Sequence, residues 1–132
     1  MSSEFHFLVV DDMPLMRHVA TISLHALGYT KISEAANGEQ ALRLLCSSPA
    51  SGTQINFIIT DWCMPIMDGM ALLRTVRARS ELKHLPVLMV SAQAEEEERA
   101  IAAQAGTDGY IVKPLNPENL KAALDSILTK RG

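Results

Sequence analysis

Short apolar runs alternate along the chain with longer amphipathic stretches. The short runs are rich in β-branched and large apolar residues, as strands are, and they span residues 7–10, 31–35, 55–61, 87–91 and 110–112. The longer stretches carry apolar residues three and four positions apart, which is typical of helices. These predicted helices follow the runs in order, over about residues 14–27, 39–46, 70–79, 95–105 and 117–128.

Strict alternation of strands and helices predicts an α/β fold, a doubly wound five-stranded parallel sheet with helices on both faces. Strands that are apolar at every position support this fold, because both of their faces would be covered. In the first helix, Leu15, Val19, Ile22 and Ala26 recur at helical spacing and are expected to form its buried face. The Ser-, Gly- and Pro-rich stretch 47–54 is expected to be a loop within the fold.

Length and composition limit the classes of protein to which the chain could belong. A chain of 132 residues predicts a single domain over residues 1–132, with no output domain after it. The net charge of −3 and the lack of a basic run argue against a nucleic-acid partner. No apolar stretch approaches the ~20 residues of a membrane span, and no secretory signal precedes the first strand. We therefore expect a cytoplasmic protein with neither a nucleic-acid nor a membrane partner.

Polar side chains that could carry chemistry stand where the predicted strands end. Asp11 and Asp12 follow the first strand, Asp61 ends the third, Ser91 ends the fourth and Lys113 follows the fifth. Ligands of open α/β sheets bind beyond the carboxyl ends of the strands. The sequence thus predicts a site that combines three carboxylates, a hydroxyl and an ammonium group at one edge of the sheet.

Three carboxylates in one pocket would repel one another unless a positive charge lies between them. Mg²⁺ meets this need, because it takes oxygen ligands and favours one or two carboxylates together with phosphate oxygens. Asp12 and Asp61 are expected as direct ligands, and Asp11 through water. The chain has no His cluster or Cys spacing that would favour zinc. Taken alone, Asp11 and Asp12 would be better explained as a cap of the first helix; the site interpretation depends on Asp61, Ser91 and Lys113 as well.

Lys113 and Ser91 indicate that the site binds a phosphoryl group as well as a metal. An ammonium group and a small hydroxyl can each bind a phosphate oxygen, and with Mg²⁺ they could balance a transferring phosphoryl group. A carboxylate at a strand end can accept that group as an aspartyl phosphate. Asp61 is the expected acceptor, since it stands alone on its strand while Asp11 and Asp12 form a pair.

Several motifs in these positions are those of a known family. They are Asp11-Asp12, the run from Asp61 through Met64-Pro65 to Asp68-Gly69, Ser91-Ala92 and Lys113-Pro114. The chain, from about residue 7 to 128, resembles the receiver domain of bacterial two-component response regulators, and within it the single-domain chemotaxis (CheY-type) regulators. The resemblance implies a flavodoxin-like fold with strand order 2-1-3-4-5, an order carried over from the family.

The resemblance also implies a reaction and a metal. A histidine kinase would transfer its phosphoryl group to Asp61, with Mg²⁺ as the cofactor and Mn²⁺ able to take its place. Asp11, Asp12, Asp61 and the backbone carbonyl of Cys63 would hold the metal. Such a protein is an acceptor that catalyses its own phosphorylation and dephosphorylation, and is not a turnover enzyme.

Further roles follow from the resemblance. Ser91 and Tyr110 would form a switch with Lys113, and the Lys113–Pro114 peptide bond would be cis. The side chains of Cys63 and Gln93 would lie near the attacking water and tune the lifetime of the phosphorylated state.

The resemblance implies protein partners as well. The switch would act on a target protein through the face formed by the fourth helix, fifth strand and fifth helix, in chemotaxis-type signalling. A monomer and a partner phosphatase are expected. The alternative is a phosphate sink or phosphorelay intermediate. An aspartyl-phosphate hydrolase is remote, because its Asp-x-Asp motif is missing from the first strand.

Overall fold

The computed structural model describes residues 5–47, 54–92 and 95–131. Within these residues five strands alternate with five helices, as the hydrophobic pattern predicts. In chain order they are β1 His6–Val10, α1 Pro14–Ala26, β2 Lys31–Ala35, α2 Gly38–Cys46, β3 Phe57–Asp61, α3 Gly69–Ala78, β4 Val87–Ser91, α4 Glu96–Ala105, β5 Gly109–Val112 and α5 Pro117–Arg131. None of the helices described is long and apolar enough to cross a membrane.

The strands form one parallel sheet in the order β2-β1-β3-β4-β5, which confirms the expected topology. Two apolar cores cover the two faces of this sheet. One core packs α2, α3 and α4 against it, and the other packs α1 and α5. Because both faces are covered, β3 and β4 are buried at every position, as their continuously apolar sequences predicted.

The predicted buried face of α1 is wrong. Leu15 and Ile22 are 64% and 52% exposed, and Ala26 is exposed as well, whereas the helix buries Ala20, Ser23 and Leu24. Both sides of this helix carry apolar residues at helical spacing, so periodicity alone could not choose between them. The observed rotation buries Leu24 completely, and in it Arg17 donates from Nη1 to the carbonyl oxygen of Asp11 at 2.7 Å and from Nε to Glu34 at 2.9 Å.

The predicted start of β3 is also wrong. Ile55 precedes the strand, which begins at Phe57. At Asn56 a side chain takes the place of one ladder hydrogen bond: its Oδ1 accepts from the His6 N–H at 2.9 Å, while its own N–H donates to the His6 carbonyl at 3.0 Å. The apolar run is therefore longer than the strand it contains.

Helix ends follow local sequence signals. Asn37, Asp68 and Asn116 each accept a hydrogen bond at 2.8 Å from a backbone N–H in the first turn of the helix that follows. Gly28 and Gly106 adopt left-handed backbone conformations just beyond α1 and α4, with φ of 97° and 105°. The strand–helix boundaries that shape the functional edge are thus encoded by nearby residues.

Candidate functional site

The three predicted acids meet at the carboxyl edge of the sheet. β1 and β3 pair in parallel, with Val10 opposite Thr60, so the residues that follow them emerge side by side. One carboxylate oxygen from each of Asp11, Asp12 and Asp61 lies within 4.8 Å of the others. Asp11 and Asp61 are buried, whereas Asp12 is exposed. This set of hard oxygen donors fits a cation such as Mg²⁺.

Lys113 reaches into the same cluster from the end of β5. Its Nζ lies 3.2 Å from Asp61 Oδ1 and 3.8 Å from Asp11 Oδ2. The backbone holds this residue in place, since its N–H donates to the carbonyl of Ser91 at 2.8 Å. The Lys113–Pro114 peptide bond is cis, as the resemblance implied. One ammonium group therefore lies against two of the three carboxylates.

Burial dominates the ionisation of the two inner acids. It raises the pKa of Asp61, and the nearby Lys113 ammonium opposes that shift. Burial likewise raises the pKa of Asp11, against the hydrogen bond that its Oδ1 accepts from the Met13 N–H at 3.0 Å. A raised pKa means that the charged carboxylate is less favourable in the folded protein than in the unfolded chain. The pocket is therefore short of positive charge.

We expect Asp11→Asn to raise the Tm of the metal-free protein at pH 7. Because folding raises the pKa of Asp11, its ionisation opposes folding above that pKa, and the amide removes this cost. The gain should shrink as the pH falls through the raised pKa and disappear below the ordinary value of 3.8, where the carboxyl is protonated in both states. Thermal unfolding in a chelator between pH 4 and 7 measures it.

Asp125→Asn is the matched control, because Asp125 lies on the surface of α5 in an exposed ion pair with Lys121. This variant should show no gain in Tm at pH 7. A lower Tm for Asp11→Asn than for the unchanged protein at pH 7 would contradict the expected direction.

The loop between β3 and α3 folds back onto Asp61. Gly69 donates its N–H to the Trp62 carbonyl at 2.8 Å, and a Cβ added to it would overlap the carbonyl oxygen of Asp61. The turn before it is tight: the Met67 N–H donates to the Pro65 carbonyl at 2.7 Å, and Ile66 between them has a φ of 69°. Such a left-handed conformation is strained for a β-branched residue.

The remaining predicted residues have different surroundings. Ser91 is buried at the end of β4, the strand that pairs with β3 beside Asp61. Tyr110 is half-buried on β5, with its ring edge-on to Trp62 at 6.2 Å between centroids and the Arg99 guanidinium 5.4 Å from its centre. Cys63 is exposed on the loop after Asp61. Gln93 lies outside the described residues.

Two residues that shape this site were not predicted as such. Gly69 was named only as the end of the motif that begins at Asp61, although it packs directly on Asp61. Arg17 was given no role, although it holds the carbonyl of Asp11. Their signals were weak: a glycine after an aspartate is common in turns, and an arginine one turn into a helix is usually solvated.

Comparisons with known proteins agree with this geometry. A family model described as the response regulator receiver domain matches residues 7–125. The chain belongs to the response regulator receiver family. The receiver is 42% identical over 130 residues to chemotaxis protein CheY-3 of Vibrio cholerae, covering 98% of this chain and 96% of that protein. It is 45% identical over 123 residues to chemotaxis protein CheY of Pseudomonas aeruginosa, covering 93% and 95%.

Solved structures resemble the receiver in fold. Chemotaxis response regulator CheY4 of Vibrio cholerae matches with a TM-score of 0.80 at 31% identity, over 95% of this chain and 99% of that one. A complex of CheX and CheY with BeF₃ and Mg²⁺ from Borrelia burgdorferi matches with a TM-score of 0.82 at 27% identity, over 94% and 89%. The receiver is thus of the CheY type, with the flavodoxin-like fold expected from its sequence.

Proposed function

We propose that this receiver accepts a phosphoryl group on Asp61 from the phosphohistidine of a histidine kinase. The observation that carries the proposal is the Lys113 ammonium at 3.2 Å from a buried Asp61, in a pocket that Asp11 and Asp12 complete. A buried carboxylate beside a fixed cation is well prepared to attack phosphorus, because little water has to be removed from it. The protein is then an acceptor rather than a turnover enzyme.

The donor atoms support Mg²⁺ as the cofactor, with Mn²⁺ able to take its place. Asp11, Asp12 and Asp61 would hold it, and the backbone carbonyl of Cys63 would add a fourth oxygen. A bound Mg²⁺ would neutralise negative charge that develops on the phosphoryl oxygens. A metal between carboxylates also relieves the cost of burying them, which is the cost that the raised pKa of Asp11 and of Asp61 expresses.

Side chains of the receiver itself perform the phosphoryl transfer. An Asp61 carboxylate oxygen forms the new bond to phosphorus as the bond from phosphorus to the donor imidazole breaks, and a proton on the second ring nitrogen lets the imidazole leave neutral. Lys113 is close enough to follow the charge from the carboxylate to the phosphoryl oxygens. The hydroxyl of Ser91, at the end of the neighbouring strand, would bind another phosphoryl oxygen.

A protein phosphodonor has to come close. The Asp61 side chain is only 10% exposed, so a phosphohistidine reaches it only if the donor covers the surrounding surface. The loops at this edge offer apolar contacts there, since Met13 and Ile66 are exposed, as is Leu15 at the start of α1. Apolar side chains around a charged centre suit transient docking of a protein in which a histidine projects from an apolar face.

We propose that the phosphorylated state is recognised by a target protein at the surface formed by α4, β5 and α5. A surface groove of about 380 Å³ lies there, lined by Tyr110, Arg99 and the small residues Ala122 and Ala123. Phosphorylation would draw Ser91 towards the phosphoryl group and let the Tyr110 ring move inward, away from Arg99, which reshapes this groove. A target protein in cytoplasmic chemotaxis signalling would read the change. The exposed Glu95, Glu96 and Glu97 at the start of α4 favour a basic partner.

We expect Asp12→Ala to weaken Mg²⁺ binding severely. Asp12 is the most exposed of the three acids, so its removal takes away a ligand without opening a cavity in the core. Trp62 is next to Asp61 in the chain, so its fluorescence can follow the Mg²⁺ titration. The extent of phosphorylation by acetyl phosphate should fall together with the Mg²⁺ affinity. At a hundred times its Kd, Mg²⁺ should stabilise the unchanged protein by about 2.7 kcal/mol, and the variant should gain far less.

Asp125→Asn, on the far surface of α5, provides the control and should titrate like the unchanged protein. Unaltered Mg²⁺ affinity in Asp12→Ala would mean that the metal binds elsewhere.

A further inference from the structure

An apolar cavity adjoins the carboxylate pocket and shares Asp11, Asp61 and Lys113 with it. It has a volume of about 360 Å³ and lies between α1, the strands beneath it and the segment after β5. Val9, Ile59 and Val90 form its floor, and Val19 and Ala20 line it from α1. Small-molecule sites typically measure about 300–1,000 Å³, and apolar cavities of about 150 Å³ already bind benzene.

The rotation of α1 explains why this cavity exists. Leu15 and Ile22 point to solvent, Leu24 is buried further along the helix, and the small Ala20 faces the sheet at the cavity. In this rotation Arg17 bonds to the carbonyl of Asp11 and to Glu34. Had Leu15 and Ile22 faced inward, as their spacing suggested, they would have filled part of this space.

One end of the cavity is charged. Asp11, Asp61 and Lys113 line it there, and the third carboxylate, Asp12, lies within 4.8 Å of the other two. Three carboxylates against one ammonium leave this end negative. A ligand with a carboxylate or phosphate head would be repelled when no metal is bound, whereas a cationic head would be attracted.

We propose that this cavity binds a small primary ammonium compound with an apolar body. The ammonium group would contact Asp11 and Asp61, and the body would lie between α1 and the floor of the sheet. Such a ligand uses carboxylates that the proposed function assigns to Mg²⁺, and in this respect the inference rests on that function. Ligand and metal would therefore exclude each other, and the ligand would hold the receiver in a form that cannot be phosphorylated.

Binding can be tested with 2-phenylethylammonium as the probe in the absence of metal. NMR shifts of the methyl groups of Val9, Val19 and Ile59 should change and saturate as the probe is added. Methylammonium, which has the charge without the body, and 2-phenylethanol, which has the body without the charge, should each bind at least tenfold more weakly. Equal binding of either compound, or no saturable shift with the probe, would overturn the proposal.

Competition is the second readout. Probe at ten times its own Kd should raise the apparent Kd for Mg²⁺, measured by Trp62 fluorescence, about tenfold. Ala20→Leu fills the cavity and should abolish both the methyl shifts and the competition, whereas Ala26→Leu, on the exposed side of the same helix, should preserve them. An unchanged Mg²⁺ affinity in the presence of saturating probe would refute mutual exclusion.

The comparison of ligands needs no variant, so it decides the matter even if Ala20→Leu fails to fold. Failure of Mg²⁺ to bind at all would count against the proposed function, while the methyl shifts measured without metal would still report on the cavity.

Discussion

Asp61→Asn should reduce phosphorylation by acetyl phosphate or by a histidine kinase to the background level. The amide has the shape of the carboxylate but cannot supply the anionic oxygen that attacks phosphorus. Unfolding would not explain the loss, because burial raises the pKa of Asp61 and a neutral side chain is therefore less costly at this position than the carboxylate. Phosphate-affinity electrophoresis or intact-protein mass spectrometry measures the labelled fraction.

A matched control lies seven residues away on the same loop. Asp68 accepts a hydrogen bond from the Ala71 N–H at the start of α3, and asparagine caps helices equally well. Asp68→Asn should therefore leave both the fold and the labelling intact. Persistent acid-labile labelling of Asp61→Asn would move the acceptor to another carboxylate, and Asp12 is the exposed candidate.

The polar ends of the strands could be predicted because two simple rules combine. Alternating strands and helices require parallel strands, and parallel strands deliver all their carboxyl ends to one edge. Asp11, Asp61 and Lys113 are far apart in the chain but each follows or ends a strand, so the rules bring them together without any tertiary detail. The contacts of Lys113 with both acids confirm that meeting point.

Features that depend on contacts between distant parts of the chain could not be predicted in this way. α1 has apolar residues on two sides, and the side that is buried is the one with Leu24, in the rotation that also lets Arg17 bond to groups outside the helix. The Asn56 side chain likewise replaces a strand hydrogen bond that the apolar run suggested. In both places a polar group bonds to a partner outside its own element, and the local apolar pattern does not indicate that partner.

The role of Gly69 could not be predicted either, because it depends on the close approach of its backbone to Asp61, which no local sequence pattern encodes. Its backbone lies against the Asp61 carbonyl, and the loop that joins the two residues has a strained turn at Ile66. Its φ is not in the left-handed region, so alanine is compatible with the backbone conformation itself. The constraint on this position is therefore space next to the acceptor.

Gly69→Ala should destabilise the protein by roughly 3 kcal/mol, since the added methyl group overlaps backbone rather than a side chain that can turn away. Relief requires the loop to move off Asp61, which should also weaken Mg²⁺ binding in the Trp62 fluorescence titration. Urea unfolding measures the first effect.

Gly109→Ala separates this effect from the general consequences of replacing glycine. Its new Cβ would meet Ile127 Cδ1 at 2.9 Å and Leu88 Cδ1 at 3.2 Å, both ends of flexible side chains in the core. Their adjustment should cost about 1 kcal/mol, at the low end for an added carbon in a packed core, with part of it offset by the lower entropy of the unfolded chain, and Mg²⁺ affinity should not change. Equal stability of Gly69→Ala and Gly109→Ala, with normal Mg²⁺ binding by both, would contradict this prediction. It would mean that the loop moves at little cost and that the close approach of Gly69 does not hold Asp61 in place.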